Sequence, residues 1–225
     1  LTSDGRRYVL REQIRPAVHL AILLGCAHTW RWWNAWLLAG ALQAVTIVYH
    51  LILVRRNPAV LDARGTRHRD AKKRDRVYLG FLGLFGAAAP VVAGLDAGAP
   101  GWTGVVPGIA AGGALLLLGF VGTTWAMTVN AHFEVTVRIQ NDRGHRVVDD
   151  GPYRLVRHPG YAFGLLALGS VPLMLGSAWA WVPIGGLALT TLLRTAFEDR
   201  TLRAELPGYQ AYAQTVRYRL VPGVF

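Results

Sequence analysis

Six apolar runs, each cut off by a short polar or basic segment, leave this chain few ways to fold. They cover about Ala17 to Trp30, Trp32 to Val54, Val77 to Leu95, Gly104 to Val129, Tyr161 to Ser177 and Trp179 to Leu193. Runs of this kind meet the length of a bilayer crossing, ~20 residues, except the first and last, which need flanks that snorkel or a locally thinned bilayer. A backbone surrounded by hydrocarbon must satisfy its own hydrogen bonds, and within one short segment only a helix does so. The expected fold is all-α: a polytopic integral membrane helical bundle of about six spans, or five if the first or last pair is re-entrant.

Composition agrees. Hydrophobic residues make up 52% of the 225 and charged residues 16%, against about a quarter in soluble domains. The chain reads as one membrane domain, 1–225, with a four-span half at 1–129. The second half, 130–225, holds a polar loop, a helical hairpin and a polar tail. The sequence starts at Leu1 without a cleavable signal pattern, so a trimmed or processed N-terminus is expected.

The net charge of +11 is not a nucleic-acid signature, because the basic residues fall between apolar runs and form no stripe on a soluble module. Counted over alternate connections, 23 of the 24 lysines and arginines fall on one side and only Arg31 on the other. Basic loops stay cytoplasmic, so both ends of the bundle and its polar loops are expected there, where they also meet anionic lipid headgroups. Trp30, Trp32, Trp33, Trp36, Trp102, Trp179 and Trp181 gather at the opposite turns and Trp125 toward the basic side, as interfacial tryptophans would. The 26 glycines and stretches such as GIAAGGALLLLG suit close packing of membrane helices.

Cys26 is the single cysteine, which excludes an intrachain disulfide and a cysteine-rich zinc site. No two of the seven histidines stand four apart and no HExxH occurs, so no metal is expected. The run RRNPAVLDARGTRHRDAKKRDR reads as a topology determinant on a solvated face.

Chemistry concentrates in the loop between 130 and 160 and in the tail from 194. The stretch GPYRLVRHPGY, Gly151 to Tyr161, sets polar side chains among Gly-Pro and Pro-Gly steps that fix turns. A rigid polar cup at the head of a membrane helix is the expected result. Arg157 and His158 offer donors to an anion, as do the free N–H groups after Pro159, and Tyr153 and Tyr161 offer aromatic faces to a cation. In RTAFEDRTL, Arg194 and Glu198 stand i, i+4 and point to one side of a helix, in the order less favourable for a simple structural pair.

Together RIQNDRGHRVVDDGPYRLVRHPGY, RTAFEDRTL and LPGYQAY with VRYRLVPGVF resemble the isoprenylcysteine carboxyl methyltransferase family of integral membrane methyltransferases, related to the phospholipid N-methyltransferases. The resemblance covers roughly Gln140 to Phe225. It implies methyl transfer from S-adenosylmethionine to a lipidic or small hydrophobic acceptor: a carboxylate, amine or thiol. It also implies cofactor contacts at Gln140, His145, Arg146, Val147, Val148, Tyr153, His158, Pro159, Gly160, Tyr161 and Glu198, with Arg194 beside the acceptor and Arg194 and Glu198 as the catalytic pair. The chain departs from the family's usual pair of glutamates, carrying Glu198 and Asp199, and from its usual Phe-Gly approach to the last tyrosines, carrying Leu206, Pro207 and Gly208.

No GxGxxG occurs, so a soluble dinucleotide-type pocket is not the route. Two other readings are a membrane NADPH-dependent sterol or steroid-type reductase, with the basic run at 55–76 taking the 2′-phosphate, and a non-catalytic membrane scaffold. Expected partners are the acceptor and membrane lipids, with no nucleic acid and no obligate protein partner. An arginine-rich composition with only Lys72 and Lys73 as lysines points to a bacterial inner membrane, where a bacterial lipid or a small hydrophobic acceptor is expected.

Overall fold

The computed structural model describes residues 1–66, 73–100, 103, 108–134, 136 and 138–225. Trp102, part of the basic run at 67–72 and the start of the expected fourth span at 104–107 lie outside the described residues. Among them all regular structure is helical: α1 Ser3–Cys26, α2 Trp33–Arg56, α3 Pro58–Gly65, α4 Lys73–Gly98, α5 Ile109–Val129, α6 Pro159–Leu175, α7 Trp181–Glu205 and α8 Tyr209–Thr215. Single turns of tighter 3-10 helix at Asn141–Arg143 and Gly151–Arg154 punctuate the connection from α5 to α6. The all-α membrane bundle expected from the apolar runs is the fold observed.

The count of spans is more qualified. Three helices are long and apolar enough to cross a membrane, Trp33–Arg56, Arg74–Gly98 and Ile109–Val129, and α6 is an apolar helix of 17 residues. α1 and α7 are as long, 24 and 25 residues, but each is apolar along only part of its length. The first apolar run starts halfway up α1 and the last ends twelve residues before α7 does. Backbone hydrogen bonding carries each helix past the edge of its apolar stretch, because charged and polar side chains at a surface do not interrupt it.

Two buried clusters fix the direction of every long helix. One gathers Leu23 of α1, Ala35 and Leu38 of α2, Ala93 of α4, Leu116 of α5, Met174 of α6 and Ala180 before α7. The other gathers Tyr8 of α1, Leu53 of α2, Val60 and Leu61 of α3 and Met127 of α5. Ends and beginnings alternate between the clusters, so the helices run up and down, and both termini lie at the same basic end.

Glycine sets the spacing at the tightest contact, α5 on α6. A Cβ on Gly119 would stand 2.7 Å from the Ala167 nitrogen and the Phe163 carbonyl oxygen, and one on Gly122 would strike the Phe163 ring. Without side chains there, the two backbones approach closely and gain dispersion contacts that lipid cannot replace. Large apolar side chains elsewhere face outward, among them Leu84, Leu117, Leu118, Val121 and Val182, which an aqueous surface would penalise. Together with the three apolar helices, this outward apolar face marks an integral membrane protein.

At the end away from the termini, Trp30, Trp33, Trp36, Trp179 and Trp181 are exposed, whereas Trp32 turns into the core. Asp96, buried on α4, is held there by the hydroxyls of Ser177 (2.5 Å) and Thr103 (2.7 Å). Gly122→Val should lower the thermal midpoint in detergent by the equivalent of about 1–3 kcal/mol of overpacking. Val at Gly113, where a Cβ meets nothing within 4 Å, should leave the midpoint unchanged. Equal effects at both positions would refute the close-contact account.

Candidate functional site

The basic end of the bundle carries a cavity that opens at its mouth to solvent. Its walls are the segment after α5, Gln140 and His145 to Val148 on either side of the first 3-10 turn, the Tyr153 turn, the start of α6, the end of α7 and α8. A single buried carboxylate ties these pieces together. Asp199 of α7 accepts Nε and Nη2 of Arg157 at 2.7 and 3.1 Å, Nε of Arg219 at 3.0 Å, Nε of Arg203 at 3.1 Å and the Tyr209 hydroxyl at 3.1 Å. His158 Nε2 stands 3.5 Å away.

Burial alone would raise the carboxyl's pKa. The hydrogen bonds from His158, Arg157 and Arg219 outweigh it and hold Asp199 well below the usual carboxylate range. The remaining amino group of Arg157 donates to the carbonyls of Val216 and Arg217 at 2.7 and 2.6 Å. The backbone N–H groups of Arg157 and His158 meet the carbonyls of Tyr218 and Arg219. This corrects the expectation that Arg157 offers a donor fork to a ligand: its fork is spent on Asp199, and its task is to dock the tail.

α6 starts at Pro159, whose missing N–H costs nothing at a helix start. The next residue must be glycine, because a Cβ on Gly160 would stand 2.3 Å from the ring of Phe133. Gly151 has φ +57° in the turn that swings Tyr153 inward. Tyr153 is buried, receives the Asn130 amide at 2.9 Å on its hydroxyl, and its carbonyl accepts the Tyr212 hydroxyl at 2.7 Å.

Glu198 stands one residue, and so about 100° of helix, from Asp199, and it faces the cavity. One oxygen accepts the Tyr161 hydroxyl at 2.7 Å and lies 3.6 Å from Arg194 Nε, while the other lies 3.9 Å from His158 Nδ1. Arg194 is buried between helices: it donates to Asp75 of α4 and lies 4.6 Å from the centre of the Tyr78 ring. The i, i+4 pair therefore does share a side, with Glu198 on the cavity wall and Arg194 behind it.

The opposite wall is a network of side chains. Glu134 receives both ends of Arg138 (3.0 and 3.1 Å) and Nη1 of Arg143 (3.2 Å). Gln140, almost fully buried, donates to the His132 carbonyl at 2.8 Å and accepts from Arg143 at 2.9 Å. The rings of His132 and His145 lie 4.5 Å apart. Burial pushes the His145 imidazole down to about 4, and His132, Arg138 and Arg143 oppose its charge further. Burial lowers His132 as well.

Of the residues the sequence pointed to, Gln140, His145, Arg146, Val147, Val148, Tyr153, His158, Gly160, Tyr161 and Glu198 line this one cavity. Pro159 is buried behind it as a helix start, and Arg194 stands behind Glu198. Sequence reasoning missed Asn130, His132, Phe133 and Glu134, and also Tyr209 and Tyr212 as wall residues. The polar cluster immediately after the apolar run ending at Val129 was the available signal.

A family model described as phospholipid methyltransferase matches residues 107–206. The interval contains α5, the connection with most of the cavity wall, α6 and nearly all of α7. No curated protein and no solved structure matches the chain. The match supports a membrane methyltransferase of the phospholipid and isoprenylcysteine type.

Asp199→Asn should cost about 3–5 kcal/mol, because it leaves the buried Arg157 charge uncompensated, and should expose the segment after Leu206 to protease first. Cleavage unchanged from wild type would refute the docking role. The pH response follows from His145: the unfolded chain takes up its proton near 6.5 and the folded chain near 4, so the unfolded state binds the proton first. The stabilisation is complete above about pH 6.5 and declines as pH falls toward 4. His145→Asn should flatten the thermal midpoint between pH 7.5 and 5; an equal decline in that variant would rule His145 out.

Proposed function

We propose that this protein transfers the methyl group of S-adenosylmethionine to a lipidic or small hydrophobic acceptor at the cytoplasmic membrane face. The observation that carries the reading is convergence: motifs separated by about fifty residues of chain, Gln140 to Val148 and Glu198, form the walls of one cavity at the mouth of a membrane bundle. The interval of the family match spans them.

The donor set suits this cofactor. Two carboxylates line the cavity among the described residues. Glu134 is closed off by Arg138 and Arg143, whereas Glu198, whose side chain is 25% exposed, offers negative charge to a sulfonium. Arg146 lines the cavity on the exposed side and, among the described residues, makes no hydrogen bond to another side chain, which leaves it to meet a carboxylate. Val147, Val148, Leu202 and Leu206 provide an apolar face for a flat base. When bound, the cofactor supplies an electrophilic methyl carbon.

The chain supplies alignment and charge placement for a displacement at that carbon. Tyr161 donates to Glu198 and so fixes the carboxylate's direction. Arg194, tied to Asp75, holds Tyr161 and Glu198 from behind. Phe133, Tyr209 and Tyr212 line the interior and exclude water. A carboxylate or thiolate acceptor needs no strong base in this arrangement.

Orientation rests on charge: the cavity opens at the end that carries nearly all the lysine and arginine, with Arg31 at the other. Calorimetric titration of the detergent-purified protein with S-adenosylhomocysteine should give saturable binding. Arg146→Ala and Glu198→Gln should weaken it roughly tenfold or more, the scale of one charge-assisted hydrogen bond. Arg194→Ala should reduce turnover more than affinity. Folded protein that takes up no S-adenosylhomocysteine would overturn the reading.

A further inference from the structure

The outward face of α1 is not the uniformly apolar surface that a membrane helix turns to lipid. Tyr8, Pro16 and Leu23 face the bundle. On the opposite side Leu10, Ile14 and Val18 form one exposed row, and Arg7, Arg11 and Arg15 form the row beside it, each stepping by four residues along the helix. The three arginine side chains are all more than half exposed.

Depth sets this face apart. Tyr8 packs with Leu53 of α2 in the cluster at the basic end, and Leu23 packs with Leu38 in the cluster at the other end. Arg15 stands midway between Tyr8 and Leu23 in sequence, about 10 Å further into the bundle than Tyr8 at 1.5 Å per residue. The same height on α2 is occupied by exposed Ile47 and Val48, in a helix apolar enough to cross a membrane. Two neighbouring helices thus offer different surfaces at one level, hydrocarbon on α2 and charge on α1.

Snorkelling accounts for only part of this. Side chains on a helix point toward its N-terminus, here the basic end, so Arg11 reaches up toward the level of Tyr8. Glu12, one turn inside Tyr8, holds the Arg15 guanidinium at 2.7 Å and so keeps that charge below it. A charge facing hydrocarbon at such depth is costly unless the polar boundary comes down to meet it. The sign of the face is also fixed: Arg6, Arg7, Arg11 and Arg15 stand against only Asp4, which takes Arg7 at 2.5 Å, and Glu12.

We propose that the outward face of α1 binds the headgroups of anionic lipids, which descend along it and thin the leaflet at the basic end by about 5 Å, one helical turn. Charge complementarity selects the occupant. An excess of arginine attracts anionic headgroups, while Leu10, Ile14 and Val18 give the acyl chains an apolar row to lie against. A second copy docked on this face would instead bring two arginine rows together. The lipid here is a neighbour of α1 and not a methyl acceptor, so the inference stands apart from the methyl-transfer reading.

The test compares two positions that the fold places at one height. Ile14 lies six residues from Tyr8 on α1, and Ile47 six from Leu53 on α2, and both are exposed. Nitroxide labels on I14C and on I47C, each in a Cys26→Ser background of the full chain, are read in bilayers of dioleoylphosphatidylcholine alone or mixed equally with dioleoylphosphatidylglycerol. Collision with oxygen marks hydrocarbon, and collision with a water-soluble nickel chelate marks the headgroup layer. In the mixed bilayer the label at 14 should meet the chelate severalfold more than the label at 47. That excess should shrink in phosphatidylcholine alone and in the double variant Arg11→Gln, Arg15→Gln, whose unchanged reading at 47 shows it folded and inserted.

Equal access at 14 and 47 in the mixed bilayer would overturn the proposal, since snorkelling then suffices. An excess of the same size without phosphatidylglycerol would overturn the anionic assignment. Spin–spin broadening between chains labelled at position 14 would put a second copy on the face and overturn it as well.

Discussion

The site is organised around a carboxylate that no solvent reaches. Asp199 sits on the part of α7 that emerges from the apolar core, and it draws in Arg157 from the head of α6, Tyr209 from α8 and Arg219 from the tail. A buried ion cluster of this kind is weak evidence for net stability, since desolvation consumes much of the Coulombic gain. Its value is directional. A carboxylate satisfied by several donors has few alternative arrangements, so the tail and the loop before α6 are held in one register. Without that register the cavity would lose two walls, those of α8 and of the Tyr153 turn.

Along α7 neighbouring residues divide the labour. Glu198 faces the cavity and Asp199 faces the tail, and the helix separates the two carboxylates by roughly 100°. One can meet a ligand while the other keeps the scaffold closed. The departure from a pair of glutamates acquires a physical meaning here. The shorter Asp199 side chain keeps its oxygens close to α7, where Arg203 from the next turn and Arg157 can both reach them.

The helical class, the alternation of direction and the concentration of chemistry at the basic end were all legible in the sequence, because apolar run length and charge placement report them directly. So was most of the cavity wall, carried by Gly-Pro and Pro-Gly steps whose backbone restrictions are local. What was not legible depends on long-range geometry. The true ends of α1 and α7 lie in polar sequence, where no change of hydropathy marks them. Arg157 looked like a ligand donor because its partner stands 42 residues away. His132 and Glu134 looked like loop residues, since only the fold of the segment against Gln140 and Arg143 makes them a wall.

Gly160 shows why the N-terminal helices belong to the site although the family match begins only at residue 107. The position takes no side chain because Phe133 occupies the space, and Phe133 in turn packs against the cluster of Tyr8, Leu53, Val60, Leu61 and Met127. α1 and α3 are locked to each other beneath that cluster: Asp62 accepts the Thr2 hydroxyl and backbone N–H at 2.8 Å, and a Cβ on Gly5 would strike its carboxylate. A shift of α3 must therefore move Phe133, and with it the wall at the head of α6. The first sixty-five residues thus support the Phe133 wall from behind. None of α1, α2 or α3 lines the cavity itself; their reach to it runs through Phe133.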